Sequence, residues 1–364
     1  MRRAIWGLAL LGASPFASVA AQAPAGSRAG GHSAPPGAEY TGQAFRFDSI
    51  ARGVWFATGT GAVSAESNHA IIEVGDGLLV VDAGTSPAAA WALLRELPRV
   101  SRKPVRHLVI THMHYDHAHG TQSFPAGIQV IGTEYTRTMI AEGKSVSHPT
   151  AEGNRTFTAA QIRSLSAARD TASTRDGRTA LTAQRRIWEQ YLLSLQTLTP
   201  IPPNVTVTER MSLFGGGREV QILFPGKAHT DGDLVVWLPK ERVLVTGDLL
   251  QPNLPYMGDG YLDQWADVLD SLEAKQPAVI LPGHGSAFRD LTVLRNQRDY
   301  FRHAWRQLAA SKANGLTAEQ AAAALDLSAY DAVYPRPASW TDAIALRQRM
   351  RMVNRVYVLL ETAR

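Results

Sequence analysis

At residues 111–120 the chain reads Thr-His-Met-His-Tyr-Asp-His-Ala-His-Gly, which places four histidines and one aspartate within ten residues. The spacing His112-x-His114-x-Asp116-His117 presents imidazole nitrogens and a carboxylate close together, and this ligand set suits zinc. The apolar run at 107–111 is typical of a buried strand. The cluster is therefore expected where a strand end gives way to a loop, a frequent position for functional residues.

Three more candidate ligands, His229, Asp248 and His284, follow apolar runs or glycine turns later in the chain. With the first cluster they provide three histidines for one metal, an Asp-His-His set for a second, and a carboxylate able to bridge both. A histidine-rich tract alone can be a solvated loop or a weak metal scavenger. The additional ligands favour a two-metal site.

These motifs, with Val80-Val81-Asp82-Ala83-Gly84 upstream, resemble those of metallo-β-lactamase-fold hydrolases over residues 45–290. That superfamily includes β-lactamases, glyoxalase II-type thioesterases and lactonases. The resemblance implies that the first metal is held by His112, His114 and His229. It implies that the second is held by Asp116, His117 and His284, that Asp248 bridges the two, and that Asp82 braces the metal-binding loop.

The implied cofactor is a pair of divalent metal ions. The ligand types favour zinc, while manganese and iron stay open because such sites accept other divalent ions. Two ions about 3.5–4 Å apart lower the pKa of a shared water, so that a metal-bridged hydroxide forms near neutral pH. Asp116 and Asp248 are the predicted catalytic carboxylates. Each liganding histidine is expected to donate its second ring N–H to an outer acceptor, for which Asp82 is a candidate.

The fold class is predicted to be α/β. Two β-rich halves, each with helices, fit a four-layer αβ/βα sandwich with the metals at one edge between the sheets. Residues 141–203 lack the β pattern and are predicted to form a helical insertion, either a lid over the metals or a helical pair without a substrate role. The tail 291–364 is predicted to be a helical extension with a break near Pro335. It could serve as a packing element, a dimerisation element or a pocket wall.

The amino terminus has the features of a secretory signal peptide over residues 1–20: Arg2 and Arg3, a short apolar stretch, and Ser18-Val19-Ala20. Residues 21–44 are rich in Ala, Gly, Pro and Ser and are predicted to be a flexible leader. The apolar stretch is too short to span a membrane. We therefore expect an exported protein, secreted or periplasmic, without a membrane span in its mature form.

Composition excludes several function classes. Removing Arg2 and Arg3 with the signal lowers the net charge from +5 to +3, and no dense basic stripe is present, so nucleic acid is not an expected partner. The chain has no cysteine, which excludes disulfides and thiolate ligands. The expected partner is a small-molecule substrate, and the sequence leaves the oligomeric state open.

The predicted reaction is hydrolysis of an ester, thioester, lactone or amide. β-Lactam hydrolysis is the alternative, although the β-lactamases of the resembled superfamily generally carry Cys or Ser where this chain has Asp248. A nuclease would need a basic stripe, and a di-iron redox protein a flavodoxin-like domain. An alternative of another class is a metal-binding protein without catalysis.

Several neighbouring residues have weaker signals. His119 is predicted to be an outer-sphere or loop-capping residue, with substrate contact as the alternative. Tyr256 could donate a hydrogen bond to a substrate oxygen or lie in a surface loop. The histidines that show no ligand pattern are His32, His69, His148 and His303.

Overall fold

The computed structural model describes residues 33–338 and 340–362. The predicted signal peptide and residues 21–32 of the predicted leader lie outside this part. Residues 33–44 form no helix or strand, but the Ala44 N–H and the Tyr40 hydroxyl both donate to Glu96 Oε1, at 2.7 and 3.2 Å. Ala44 and Glu96 are both buried, so the chain already packs against the domain at residue 44. The composition, in contrast, predicts a flexible leader up to this residue.

The described residues form two sheets. The first contains β1 (Phe45–Ala51), β2 (Val54–Gly59), β3 (His69–Val74), β4 (Gly77–Val81), β5 (Val105–Val109), β6 (Gln129–Gly132) and β7 (Val205–Thr206). The second contains β8 (Arg210–Gly215), β9 (Arg218–Leu223), β10 (Val235–Leu238), β11 (Val243–Gly247) and β12 (Val279–Pro282).

The first sheet keeps the strand order of the sequence, β1 to β7. Strands β1 to β4 are antiparallel neighbours, and β4 to β7 are parallel. The second sheet has the order β12-β11-β10-β9-β8, in which only the β11–β12 pair is parallel. The parallel pairs bring several strand ends to the same edge of the sandwich. The predicted ligands lie in the segments that follow these strand ends.

The helices of the described residues are α1 (Pro87–Glu96), α2 (Tyr115–Ala118), α3 (Glu134–Ala141), α4 (Pro149–Thr171), α5 (Arg175–Ser194), α6 (Leu262–Glu273), α7 (Thr292–Ala313), α8 (Ala318–Ala324) and α9 (Asp342–Thr362). Helix α1 begins with two helix-start signals, since the Ser86 side chain accepts the Ala89 N–H at 3.2 Å and Pro87 occupies the first turn. None of the described helices is long and apolar enough to cross a membrane.

The two sheets pack face to face, and helices cover their outer faces. In β4, Leu79 and Val81 belong to the core between the sheets, whereas Leu78 and Val80 pack in the cluster that contains α1. Successive strand residues point to opposite faces, so this uninterrupted apolar run is buried on both sides. The helix–sheet–sheet–helix order confirms the predicted four-layer sandwich.

The C-terminal extension completes the fourth layer. Trp265 of α6 packs on Phe301 of α7, with ring centroids 4.4 Å apart. Met352, Val353 and Val356 of α9 belong to the same buried cluster. The predicted break near Pro335 is confirmed, because α9 begins only at Asp342.

The predicted helical insertion contains α4 and α5, which pack against each other. The sequence predicts helix over 158–169, and the structure starts α4 earlier, at Pro149, where the His148 side chain accepts the Thr150 N–H at 3.3 Å. A proline in the first turn and an N-terminal side-chain acceptor are both helix-start signals.

The β structure that resumes at Val205 is divided between the two sheets. The Val207 N–H donates to the Gly132 carbonyl at 2.9 Å, which ends the pairing of β7 with β6, while the Glu209 carbonyl already accepts from the Phe224 N–H at 2.9 Å. The chain therefore passes from the first sheet to the second within these residues.

Candidate metal centre

The predicted ligands lie together at one edge of the sandwich. Residues 110–120, the metal loop, follow β5 and supply four of them. Asp248 directly follows β11, and His284 lies two residues beyond β12. His229 lies between β9 and β10 on a loop that is joined to the metal loop by the hydrogen bond from the Leu234 N–H to the Thr111 carbonyl, 2.8 Å. The fold thus brings all seven predicted residues to one place.

Three ring nitrogens meet in the first group. His112 Nε2 and His229 Nε2 lie 3.1 and 3.0 Å from His114 Nδ1, and all three rings are buried. Nitrogens bound to one tetrahedral zinc at 2.0–2.1 Å would be about 3.3 Å apart. The observed spacing is therefore close to that of three ligands sharing one ion.

The second group consists of Asp116, His117 and His284. Asp116 Oδ2 lies 3.4 Å from His117 Nε2 and 3.0 Å from His284 Nε2. The His117 side chain is fully buried, whereas that of His284 is 34% exposed. This group is therefore the one that opens towards solvent.

Asp248 lies between the two groups. Its Oδ2 atom is 3.7 Å from His229 Nε2 in the first group and 3.3 Å from His284 Nε2 in the second. Its Oδ1 atom is 3.3 Å from His117 Nε2. The carboxylate therefore has the position that the sequence predicts for a bridging ligand.

Two buried polar atoms at the centre of this cluster, His117 Nε2 and Asp248 Oδ1, have no hydrogen-bond partner among the described residues. A buried polar atom without a partner is unfavourable, and a cation between a ring nitrogen and a carboxylate oxygen would satisfy both. Histidine nitrogens and carboxylate oxygens are also the donors that divalent ions such as zinc prefer. The site therefore fits divalent metal ions.

Outer acceptors hold most of these rings in orientation, as metal-site histidines require. Asp82 Oδ2 accepts from His117 Nδ1 at 2.8 Å and from the Thr111 hydroxyl at 3.0 Å. Thr111 Oγ1 in turn lies 3.0 Å from His112 Nδ1. His284 Nδ1 bonds the Glu66 carbonyl at 2.9 Å. Asp82 therefore has the contacts that the bracing role implied by the resemblance requires.

Burial favours the neutral imidazoles of His112 and His229. It lowers the pKa of His229 to about 3 and holds the pKa of His112 well below its usual range. Burial acts on His117 in the same direction, but the carboxylates of Asp116 and Asp248 outweigh it and raise the pKa of His117 well above its usual value. Since a metal binds the neutral ring, a cation in the second group would displace a proton from His117.

Sequence reasoning missed His148 and Asp259, which lie beside the first group. Asp259 Oδ2 is 2.9 Å from His114 Nε2 and 3.4 Å from His148 Nε2. Asp259 is thus the outer acceptor that orients His114. The position of His148 before Pro149 gave a helix-start signal, but no sequence signal connected it with an aspartate more than one hundred residues later.

His119 and Tyr256 take different positions around the site. His119 is buried, burial lowers its pKa to about 4, and its ring centroid is 6.1 Å from that of Tyr115. It belongs to none of the ligand groups of the described residues, in line with the predicted outer-sphere position. The Tyr256 ring packs against His114 and His229, with centroids 5.8 and 6.5 Å apart.

A cavity of about 530 Å³ opens above the metal centre and includes His114, Asp116, Asp248 and His284 in its lining. The insertion contributes one part of the wall, namely Pro149, Thr150, Gly153, Asn154 and Phe157 of α4. The C-terminal extension contributes another, namely Ile344, Arg347, Gln348 and Arg351 of α9. A larger cavity of about 750 Å³ beside α5 contains none of the seven predicted ligands, so the smaller one is the candidate substrate site.

The family model described as the metallo-beta-lactamase superfamily matches residues 66–284, more than half of the chain. The chain belongs to this superfamily. The matched segment contains all seven predicted ligands and ends at the last of them, His284. Helices α7 to α9 lie beyond it.

Curated relatives of the chain are metal-dependent hydrolases. It is 24% identical over 243 residues to the metallo-beta-lactamase type 2 of Bacillus sp. (strain 170), covering 64% of this chain and 74% of that protein. It is 28% identical over 264 residues to a linear primary-alkylsulfatase of a Pseudomonas species, covering 69% of this chain and 48% of the relative. The chain thus spans about half the length of that alkylsulfatase.

Solved structures show the same fold. A metallo-beta-lactamase from Pontibacter korlensis has a TM-score of 0.51 at 20% identity, covering 71% of this chain and 99% of that one. A metallo-beta-lactamase from Pseudomonas aeruginosa, solved in a mono-zinc form, has a TM-score of 0.52 at 17% identity, covering 73% and 98%. The predicted fold and the prediction of a metal-dependent hydrolase of this superfamily are confirmed.

Gly283 leads from β12 to His284 and has no room for a side chain. A Cβ atom there would lie 2.2 Å from Asp248 Oδ1 and 2.8 Å from His117 Cε1. We expect Gly283→Ala to displace one of these side chains and to weaken zinc binding about 10–100-fold, measured by calorimetric titration. The matched control is Gly153→Ala in α4, where a Cβ would meet no atom within 4 Å. Equal zinc affinity of the two variants would contradict the expected crowding.

Proposed function

We propose that this chain is a hydrolase that uses two divalent metal ions, held by the seven side chains, to cleave an ester, thioester, lactone or amide. The observation that carries the proposal is the position of Asp248, whose Oδ2 atom lies within 3.7 Å of a histidine of each group. One carboxylate shared by two ligand sets is what a dinuclear site needs to hold its ions at a fixed separation.

The ligand types favour zinc. His112, His114 and His229 would hold one ion, Asp116, His117 and His284 the other, and Asp248 both. When bound, such a pair lowers the pKa of a water molecule and polarises the scissile carbonyl oxygen.

The chain's own residues would position the substrate and the attacking water. Asp116 and Asp248 line the cavity, so their carboxylate oxygens can accept a hydrogen bond from the attacking water molecule and orient it. Tyr256 also lines the cavity, and burial raises its pKa to about 12. Its hydroxyl therefore stays protonated and can donate a hydrogen bond to a substrate oxygen.

β-Lactam hydrolysis is the second candidate function, and similarity to the Bacillus metallo-beta-lactamase type 2 favours it. An aspartate at position 248 argues for the first candidate, because the resembled β-lactamases generally have Cys or Ser there. The alkylsulfatase relative adds a sulfate ester to the substrates worth testing.

A hydrolysis panel on zinc-loaded protein distinguishes these functions. We expect aryl ester, thioester, lactone or amide substrates to be cleaved faster than nitrocefin or an alkyl sulfate, and the activity to be lost on chelation and restored by zinc. Nitrocefin turnover equal to the best ester or lactone turnover would overturn our ranking. Activity that survives complete metal removal would overturn the metal-dependent mechanism.

Export to the periplasm is a further part of the proposal. It rests on residues 1–20, whose charged start, apolar centre and Ser18-Val19-Ala20 exit are typical of a cleaved signal peptide. We expect amino-terminal sequencing of the periplasmic fraction to find a chain that starts at Ala21. A cytosolic protein that retains Met1 would contradict export.

A further inference from the structure

Helix α9 lies beyond the segment that the family model matches, yet it forms part of the wall above the metal centre. Its buried face, with Met352, Val353 and Val356, fixes the helix to the fourth layer. Its other face presents Arg347 and Arg351 to the cavity. The spacing of four residues places these two side chains on the same side of the helix.

These two arginines have no carboxylate partner within salt-bridge distance among residues 33–338 and 340–362. Arg351 Nη1 donates instead to Gln348 Oε1 at 3.1 Å. Arginines of the neighbouring α7 are paired: Arg298 and Arg302 both bond Asp270, at 3.0 and 2.5 Å. The positive charge of α9 at the cavity is therefore available to a ligand.

The acidic side chains of the cavity lining do not compete for this charge. Asp116 and Asp248 lie against the metal-centre histidines, and the nearby Asp259 bonds His114 and His148.

Tyr256 lies between Arg351 and the metal centre. The Arg351 guanidinium lies 5.5 Å from the centroid of the Tyr256 ring, and that ring packs on His114 at 5.8 Å. The positive charge of Arg351 is thus separated from the first histidine group by the aromatic ring of Tyr256. Phe157, which is 51% exposed, and Ile344 offer apolar contact within the same cavity.

We propose that Arg347 and Arg351 form a subsite for an anionic group of the substrate, a carboxylate, sulfonate or sulfate carried at a distance from the bond that is cut. Guanidinium groups recognise such oxyanions with paired charge-assisted hydrogen bonds. The apolar part of the substrate would contact Phe157 and Ile344. The subsite would thus define the class of substrate that the cavity above the metal centre accepts. Only the cleavage of the bound substrate rests on the proposed hydrolytic function; binding of the anion does not.

Binding is tested on the zinc-loaded protein with naphthalene-2-sulfonate, an apolar anion that coordinates metals weakly. We expect the double variant R347A/R351A to bind it at least about tenfold more weakly than the wild type, and added salt to weaken wild-type binding because both arginines are exposed. The charge-preserving R347K/R351K should recover part of the affinity. The matched control is R163A, which removes an exposed arginine of α4 outside the cavity lining.

Kinetics provide a second readout with two esters of equal length, 4-nitrophenyl hemiglutarate and 4-nitrophenyl valerate. We expect the ratio of their kcat/KM values to fall about 10–100-fold in R347A/R351A and to stay at the wild-type value in R163A. Failure of the wild type to cleave either ester would count against the proposed function but would leave the binding result decisive. Equal sulfonate affinity of the wild type and R347A/R351A, including no measurable binding by either, would overturn the anionic subsite.

Discussion

Replacing Asp248 by asparagine is expected to lower kcat/KM for the best substrate by about 10²–10³-fold, the loss typical of removing one preorganised charged group from an active site. Asparagine keeps the size of the side chain but removes the charge that lies between His229 and His284. We also expect bound zinc to fall from about two ions towards one, because a neutral amide holds two cations together poorly. Steady-state kinetics and metal analysis measure both effects.

The matched control is Asp267→Asn on α6. Asp267 is also an aspartate with a basic partner, but its side chain is 78% exposed, and exposed ion pairs contribute little. We expect this control to retain wild-type activity and metal content. A D248N protein that binds two zinc ions and turns over substrate like the control would show that Asp248 does not act as a bridge.

Replacing Asp82 by alanine is expected to lower the free energy of unfolding by about 3–5 kcal/mol, because three buried donors lose their acceptor. These donors are the Thr111 N–H at 2.8 Å, the Thr111 hydroxyl at 3.0 Å and His117 Nδ1 at 2.8 Å. Asp82 also has a positive φ of 66°, a conformation that aspartate tolerates better than alanine. Urea unfolding measures the stability change.

Zinc affinity of the same variant should fall about 10–100-fold, since Asp82 orients His117 directly and His112 through Thr111. The control is Asp76→Ala, in a turn where the aspartate side chain is 91% exposed. If D82A unfolds at the same urea concentration as D76A and binds zinc as tightly, Asp82 does not brace the metal loop.

The apolar pattern of the sequence predicted the layers, and the resemblance to the superfamily predicted which seven side chains lie together. The apolar runs of β4, β11 and β12 are buried on both faces, and such runs predict central strands without knowledge of their partners. Asp248 and His284 follow two of these runs closely in sequence. Because the ends of neighbouring parallel strands meet at one sheet edge, the ligands came together as expected.

The residues that sequence reasoning missed depend on contacts between distant segments. His148 starts α4 of the insertion, and Asp259 lies in the loop after β11, so their meeting at His114 follows from how the insertion docks. Arg347 and Arg351 reach the cavity only because the other face of α9 packs on the fourth layer. No periodicity or motif within one segment specifies such docking.

The difference at the amino terminus has a similar cause. The composition of residues 21–44 predicts flexibility, but Glu96 of α1 accepts the Ala44 N–H at 2.7 Å and the Phe45 N–H at 3.1 Å. A buried carboxylate requires hydrogen-bond donors. The sequence does not show that Glu96 is buried, so it could not predict that Glu96 binds these two N–H groups. The last residues of the predicted leader are therefore fixed by a side chain about fifty residues away.

Metal content per chain, measured by mass spectrometry on desalted protein after incubation with zinc, tests the central claim most directly. We expect about two zinc ions per wild-type chain, and a lower number when His229 or Asp116 is replaced by alanine. A wild-type protein that retains one zinc ion or none under these conditions would contradict the claim that these seven side chains hold a pair of metal ions.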